Sequence, residues 1–71
     1  MKPKYEAKID FNPYNDVYVH IYRNDRFWIQ LYPLSSPYDW FGSLASARKA
    51  VEGFARETGL DVEVKVVRRN Y

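Results

Sequence analysis

The stretch VYVHIYRNDRFWIQLY, residues 17–32, decides the fold because it alternates two kinds of side chain on either side of a polar break. A period of two predicts β-strands, since successive side chains of a strand point to opposite faces of the sheet. One alternate set is apolar and predicts the face turned to the core: Val17, Val19, Ile21, Phe27, Ile29 and Leu31. The other set should be polar in a half-buried strand, yet it carries rings: Tyr18, His20, Tyr22, Trp28 and Tyr32.

The polar break at residues 23–25 sets the register of this predicted hairpin. A two-residue loop at 24–25 would place odd-numbered residues of one strand opposite even-numbered residues of the other. Ile21 would then share a face with Trp28, which mixes the apolar set with the ring-bearing set. Because the buried face normally fixes a register, we expect a three-residue loop at 23–25 instead. That loop pairs Tyr22 with Arg26, Ile21 with Phe27, His20 with Trp28 and Val19 with Ile29.

Three further segments complete the predicted secondary structure. Residues 4–11 alternate strictly and predict a first strand, which the turn-forming cluster NPYND ends. Ser43 is a typical N-cap residue, and apolar residues spaced three and four apart after it predict a helix that ends at Gly59. Residues 60–67 alternate again and predict a last strand.

The longest break is PLSSPYDWFG at residues 33–42, and its prolines and serines predict a loop. We expect Phe41 to enter the core near the start of the helix. Trp40 fits two roles equally well, an exposed anchor for a partner or a lid on the end of the helix.

These elements predict an α+β fold with the order β-β-β-α-β in a single two-layer domain covering residues 1–71. The layers are a four-stranded, mainly antiparallel sheet and one helix on one of its faces. Strand directions place the last strand parallel to the first, and we expect it beside the first in the order 3-2-1-4. The predicted core comprises Ile9, Val19, Ile21, Phe27, Ile29, Leu31, Leu44, Val51, Phe54, Val62 and Val64.

Composition narrows the class of protein. A chain of 71 residues with 46% hydrophobic residues and no cysteine supports one thin core, without disulfide bonds or a Cys/His zinc site. The 11 Lys and Arg against 9 Asp and Glu leave a net charge of +2, which is low for a dedicated nucleic-acid binder. No apolar run approaches a membrane span, and MKPKYEAKID lacks the apolar part of a signal peptide, so we expect a cytoplasmic protein without membrane contact.

The sequence contains no recognisable catalytic or metal-binding set. His20 is the one histidine, and there is no cysteine to pair with it. The aspartates at 10, 16, 25 and 39 lie in or beside predicted turns, where aspartate favours hydrogen bonds to the local backbone. The three glycines are isolated and form no phosphate-binding loop. We therefore expect a protein that is not an enzyme and needs no cofactor or metal.

A single helix covers one side of the sheet, so the ring-bearing set is predicted to lie on the uncovered side. Without any ligand, cross-strand aromatic pairs stabilise a sheet by about 0.2–1 kcal/mol each. Clustered exposed rings are also typical of interaction sites, where Tyr, Trp and Arg dominate binding. The predicted partner-binding residues are Lys8, Tyr18, His20, Tyr22, Arg26, Trp28, Tyr32 and Lys65 on this side, with Tyr38 and Trp40 in the long loop.

In length, in the order β-β-β-α-β and in the exposed rings of YVHIYRNDRFW, the chain resembles small phage-encoded anti-defence proteins, including anti-CRISPR proteins. That group shares no sequence motif, so the resemblance transfers no functional residue. It implies a non-catalytic inhibitor from a phage or mobile element that sterically blocks a protein complex that handles nucleic acid.

Two other classes of function stay open. Rings flanked by Lys8, Arg26 and Lys65 would stack on nucleic-acid bases, although Glu6 and Glu63 on the same side oppose phosphate binding. The segment WFGSLASARKAVEGFARE is also similar to the sheet-then-helix layout of integrase arm-binding domains. Alternatively, a homodimer whose sheet faces pack together would bury the rings without any other partner.

Overall fold

The computed structural model describes residues 2–14, 16–34 and 39–68. In this part of the chain the elements are β1 (Tyr5–Phe11), β2 (Val17–Arg23), β3 (Arg26–Leu31), α1 (Leu44–Thr58) and β4 (Val62–Arg68). One sheet has the order β3-β2-β1-β4, in which β4 is parallel to β1 and the other neighbours are antiparallel. The predicted α+β class, element order and strand order are confirmed.

Helix α1 begins and ends at the predicted residues. The Ser43 hydroxyl accepts a hydrogen bond from the Ser46 backbone N–H at 3.1 Å, which satisfies one of the free donors of the first turn. Gly59 ends the helix in the left-handed region at φ 70°, where glycine has no Cβ to clash. Ala47 and Val51 are the residues of α1 that are fully buried against the sheet.

The loop of the β2–β3 hairpin differs from the prediction. It is a two-residue turn in which Asn24 (φ 51°) and Asp25 (φ 65°) are both left-handed, so Arg23 pairs with Arg26. The predicted three-residue loop and its strand pairs are therefore wrong. A bulge follows the turn, because Tyr22 pairs with Phe27 whereas the next residue, Ile21, pairs with Ile29. Beyond the bulge, the apolar residues of β2 and β3 again lie on the same side of the sheet. Further along, His20 pairs with Gln30 and Val19 pairs with Leu31.

Because of the bulge, Phe27 and Trp28 each lie on the side of the sheet opposite to the predicted one. Trp28 is the extra residue of the bulge and lies on the helix side, where its ring centroid is 6.0 Å from that of Phe54. Phe27 lies on the side away from α1, with its ring 5.8 Å from His20 and 6.0 Å from Tyr22.

The core lies between α1 and the centre of the sheet. Two predicted core residues are exposed instead, Phe27 at 57% and Val64 at 44%. The bulge moves Phe27 out, and Val64 lies on the edge strand β4, which the core reaches only at Val62. Phe41 enters the core as predicted and forms a bridge with Val17. The buried residues are Ala7, Ile9, Val17, Val19, Ile21, Phe41, Ala47 and Val51, with Phe11, Ile29, Leu31, Leu44, Ala50, Phe54 and Val62 packed against them.

Candidate partner-binding face

The side of the sheet opposite α1 carries the side chains that alternate with the buried ones, and we call it the open face. Strand pairing places alternate residues of each strand on this side, with even numbers in β1 and β2, odd numbers in β4, and a change at the bulge in β3. Its members are Glu6, Lys8 and Asp10 from β1, Tyr18, His20 and Tyr22 from β2, Phe27 and Gln30 from β3, and Glu63, Lys65 and Val67 from β4.

The rings of the open face form a continuous row, which we call the aromatic strip: Trp40, Tyr18, His20, Phe27 and Tyr22. Trp40 lies 6.4 Å from Tyr18, and the Tyr18 and His20 rings are parallel to within 1° at 6.4 Å. Phe27 presents an edge-to-face contact to His20 and another to Tyr22. Such contacts between rings hold each in a defined orientation. The strip is therefore an ordered surface before any partner arrives.

Charges of both signs border the aromatic strip. The Lys8 ammonium lies 4.3 Å from the centre of the Tyr22 ring and 3.8 Å from a carboxylate oxygen of Glu6. Lys65 lies beside Lys8 in the pairing of β1 with β4, and Glu63 lies beside Glu6. An aromatic centre with a rim of mixed charge is the usual composition of a protein–protein contact surface.

Asp10 and His20 form a pair at the middle of the aromatic strip. The His20 Nδ1 lies 3.1 Å from Oδ2 of Asp10, and since a carboxylate only accepts, His20 donates this hydrogen bond. Asp10 is 7% exposed and lies next to the last residue of β1, within the predicted first strand and beside the turn that follows it. The pair fixes the tilt of the imidazole. The Asp10–His20 pair lies at a surface depression of about 530 Å³. This depression is lined by Asp10, Phe11, Asn12, Pro13, Tyr14, Tyr18, His20, Gln30 and Asp39.

The loop beside this depression is held by Asn12. Its Oδ1 accepts hydrogen bonds from the backbone N–H groups of Tyr14 at 2.9 Å and Asp16 at 3.0 Å. Its amide also donates to the Asp16 carboxylate at 3.1 Å. Asp16 is thus hydrogen-bonded within the turn that the sequence predicts for it.

Six of the predicted partner-binding residues meet at the open face. Five lie on it and Trp40 joins it through Tyr18. These six are Lys8, Tyr18, His20, Tyr22, Trp40 and Lys65.

Three of the other four predicted residues have different positions, and the fourth lies outside the described residues. Arg26 lies at the hairpin tip opposite Arg23, not opposite Tyr22. Trp28 lies on the helix side, so its predicted place on the open face is wrong. Tyr32 follows the end of β3 and lines a groove against α1, so the alternation that predicted it to face the open side no longer applies. Tyr38 lies outside the described residues.

Phe27 is the residue of the open face that sequence reasoning missed. The signal was present in the Asn24–Asp25 pair, because asparagine and aspartate tolerate the left-handed conformation that a tight two-residue turn requires. The apolar pattern argued against this turn, because it assumes strict alternation along each strand. A bulge reverses the alternation at one residue, and the sequence pattern does not reveal it.

The open face has a composition that suits contact with another surface. Its groups are ring faces, alkyl chains and paired charges, which bind by burial and complementarity. Within residues 2–14, 16–34 and 39–68, no cluster of three or more His, Asp or Glu side chains is placed to hold a metal ion. The same part of the chain has no helix with the length and apolar character of a membrane span. The chain has no match among protein-family models, curated proteins or solved structures.

Proposed function

We propose that this chain is a small, non-catalytic binding protein that covers the surface of a protein partner with its open face. The observation that carries this proposal is the aromatic strip, a row of rings in mutual contact with charges of both signs at its border. Phe27, 57% exposed within the row, has the most apolar area to lose to a partner. Aromatic anchors in such positions supply much of the free energy of protein binding.

The order of the strip favours tight binding by a surface of modest size. Ring contacts and the Asp10–His20 hydrogen bond already restrict the side chains. Binding therefore loses less side-chain entropy than it would on a surface of freely rotating side chains. This economy matters for a chain with a single thin core, which cannot offer a large interface.

The charges favour a protein partner over nucleic acid. Three carboxylates on the open face, Glu6, Asp10 and Glu63, outnumber the two lysines, Lys8 and Lys65. Lys8 is in addition engaged by Glu6 and by the Tyr22 ring. A phosphate backbone needs a surplus of unengaged positive charge, whereas a protein surface can complement both signs.

The partner we propose is a complex that handles nucleic acid in the cytoplasm, and the effect is steric inhibition by a protein from a phage or mobile element. The support for this finer statement is the resemblance in size and layout to anti-CRISPR-type proteins. A rigid face of this kind inhibits simply by covering a working surface of its partner, without catalysis or a cofactor.

Nucleic-acid binding is the second candidate, and one observation favours it. The exposed ring of Phe27 beside His20 offers a face on which a base can stack, and such stacking contributes about 1–3 kcal/mol per base. In this case Lys8 and Lys65 would contact the phosphates.

Site-specific photo-crosslinking distinguishes these functions. A photoreactive phenylalanine analogue is placed at position 27, and a control carries it at position 52 on the exposed side of α1. In cells that naturally contain the protein, we expect position 27 to capture one protein that position 52 does not. The captured protein, once purified, should lose its nucleic-acid activity when the wild-type chain is added.

The other outcomes are equally informative. Capture of nucleic acid alone at position 27 would establish the second candidate. Equal capture by the two positions would contradict the open face as a contact surface. A captured protein whose activity is unchanged by saturating wild-type chain would retain the binding role and remove the inhibitory one.

A further inference from the structure

The outer edge of β4 is a second exposed surface, which adjoins the open face at Glu63 and Lys65. β4 is the last strand of the sheet, and its pairing with β1 runs without irregularity from Val62 to Arg68. Regular edge strands present unpaired backbone N–H and C=O groups and are templates for another strand. On the helix side of this edge, Val64 is 44% and Val66 is 40% exposed. Among the described residues no strand adjoins the outer side of β4, so this edge combines backbone groups open to another strand with exposed apolar side chains.

Two charged residues of β4 lie beside residues of the same charge in the neighbouring strand β1. On the open-face side, Glu63 lies beside Glu6 and Lys65 lies beside Lys8. Like charges at neighbouring positions of adjacent strands destabilise a sheet. Lys8 relieves part of this by contacting Glu6 within β1. Glu63 and Lys65 would gain from opposite charges supplied at the outer edge.

We propose that the occupant of this edge is a second copy of the chain, paired antiparallel to β4 about a twofold axis at Val64. This register pairs Val62 with Val66 of the second copy, Val64 with its own counterpart, and Glu63 with Lys65 of the second copy. The charge pairs occur twice because the interface is self-complementary. The same register joins the exposed valines into one apolar stripe on the helix side.

The position of the axis follows from the order of side chains in VEVKVVR. An axis at Glu63 or Lys65 would place that residue against its own counterpart, with identical charges in contact. An axis at Val66 would place Lys65 opposite the apolar Val67 and would leave Glu63 with no residue of β4 opposite it. Val64 is thus the centre at which both charge pairs and the valine stripe form together.

The dimer is a continuous sheet of twice four strands with two open faces on the same side. It is compatible with partner binding and does not depend on it. Its interface is one strand edge on each copy, smaller than the standard interface of about 1,600 Å². Dimerisation is therefore weak and depends on the protein concentration.

Charge reversal tests this pairing without damage to the fold. Glu63→Lys places a lysine beside Glu6, and Lys65→Glu places a glutamate beside Lys8, so each variant improves the pairing within the chain. Between copies each variant creates two like-charge pairs. We expect sedimentation equilibrium to show that the dimer dissociation constant rises at least about tenfold in each, or about 1.4 kcal/mol. The double variant Glu63→Lys with Lys65→Glu should recover the wild-type constant.

A mixture of the two single variants provides the sharpest measurement. Every Glu63→Lys chain then finds opposite charges only on a Lys65→Glu chain, so the mixture should form heterodimers while each variant alone is monomeric. Glu52→Lys, with the same change of charge on the exposed side of α1, is the matched control and should dimerise like wild type. A wild-type chain that is monomeric at all concentrations would overturn the proposal. So would a dimer that the reversals weaken no more than the control.

Discussion

At the scale of single residues, Phe27 and Trp28 are neighbours in sequence with opposite surroundings. Phe27 faces away from α1 and contacts the rings of His20 and Tyr22. Trp28 packs on the helix side between Tyr5, at 5.5 Å, and Phe54, at 6.0 Å. The first ring belongs to the proposed contact surface, whereas the second covers Phe54 from the edge strand β3.

Alanine substitution should separate these two roles. Phe27→Ala removes an exposed anchor, so we expect it to weaken partner binding at least about thirtyfold, or about 2 kcal/mol, with the free energy of unfolding little changed. Trp28→Ala opens a gap against Phe54, and for this 40% exposed ring we expect a loss of about 2–3 kcal/mol in unfolding free energy. Urea unfolding and partner affinity, measured for each variant, provide the comparison.

Phe27→Tyr is the control, since it keeps the ring and should keep most of the affinity. The reverse outcome, in which Trp28→Ala abolishes binding with unchanged stability and Phe27→Ala unfolds the protein, would show that the two faces are assigned the wrong way round.

At the scale of elements, the turn between β2 and β3 determines which ring faces which side. Asn24 is held by two hydrogen bonds to Lys4, its Oδ1 accepting from the backbone N–H at 2.9 Å and its own N–H donating to the carbonyl at 2.8 Å. Asp25 has no corresponding hydrogen bond among those found in the described residues, yet it has φ 65°. Asp25 therefore carries left-handed strain that glycine would relieve.

Substitutions at position 25 should change stability in opposite directions. Asp25→Gly forms the Asn–Gly pair that tight hairpin turns prefer, and we expect it to raise the unfolding free energy by about 0.5–1 kcal/mol. Asp25→Val puts a β-branched side chain at positive φ and should lower it by about 1–2 kcal/mol. Thermal unfolding of the two variants measures this. Equal effects on stability would contradict the two-residue turn.

Two glycines of the helical region form a second matched pair. A Cβ added at Gly53 or at Gly59 would meet no heavy atom within 4 Å, so space does not distinguish them. Gly53 lies inside α1, where alanine is favoured over glycine by about 1 kcal/mol, so Gly53→Ala should be stabilising. Gly59 has φ 70°, so Gly59→Ala should be destabilising by about 1 kcal/mol. Differential scanning calorimetry should show opposite shifts in Tm, and shifts of the same sign would contradict the position of the helix end.

At the scale of the whole molecule, the described residues form one helix on one side of a four-stranded sheet, which leaves the other side uncovered and ends in two edge strands, β3 and β4. The core residues are concentrated on β1, β2 and α1, which lie at the centre of the molecule. The uncovered face bears the aromatic strip, and the uncovered edge of β4 bears the exposed valines. The surfaces available for association therefore follow from the size of the chain, since one thin core cannot support a second layer.

At this scale, the salt dependence of binding distinguishes a protein partner from nucleic acid for a chain with a net charge of +2. For a protein partner bound through aromatic anchors, we expect the affinity to change less than about tenfold between 50 mM and 200 mM salt. A nucleic-acid ligand held by six or more phosphate contacts would lose about a thousandfold over that range. Oligonucleotide titrations at both salt concentrations make the measurement. Tight oligonucleotide binding at low salt that collapses at high salt would favour the second candidate function.

The sequence by itself determined the elements and their order, because these depend on local chemistry. Period two in β1 and β2, the hydroxyl of Ser43 and the freedom of Gly59 each act within a few residues, and each was confirmed. Direction counting predicted β4 to be parallel to β1 and β3, and its expected place beside β1 is confirmed. Most of the aromatic strip followed in the same way, from the parity of β2.

Tertiary structure alone decided the surroundings of particular side chains. The sides occupied by Phe27 and Trp28 depend on a bulge, which forms because the tight turn and the burial of Ile21 and Ile29 have to be satisfied together. Asp10 meets His20 only because two strands bring residues ten apart side by side. Val64 is exposed because the core reaches β4 only at Val62, and no periodicity within β4 carries information about the extent of a layer packed upon it.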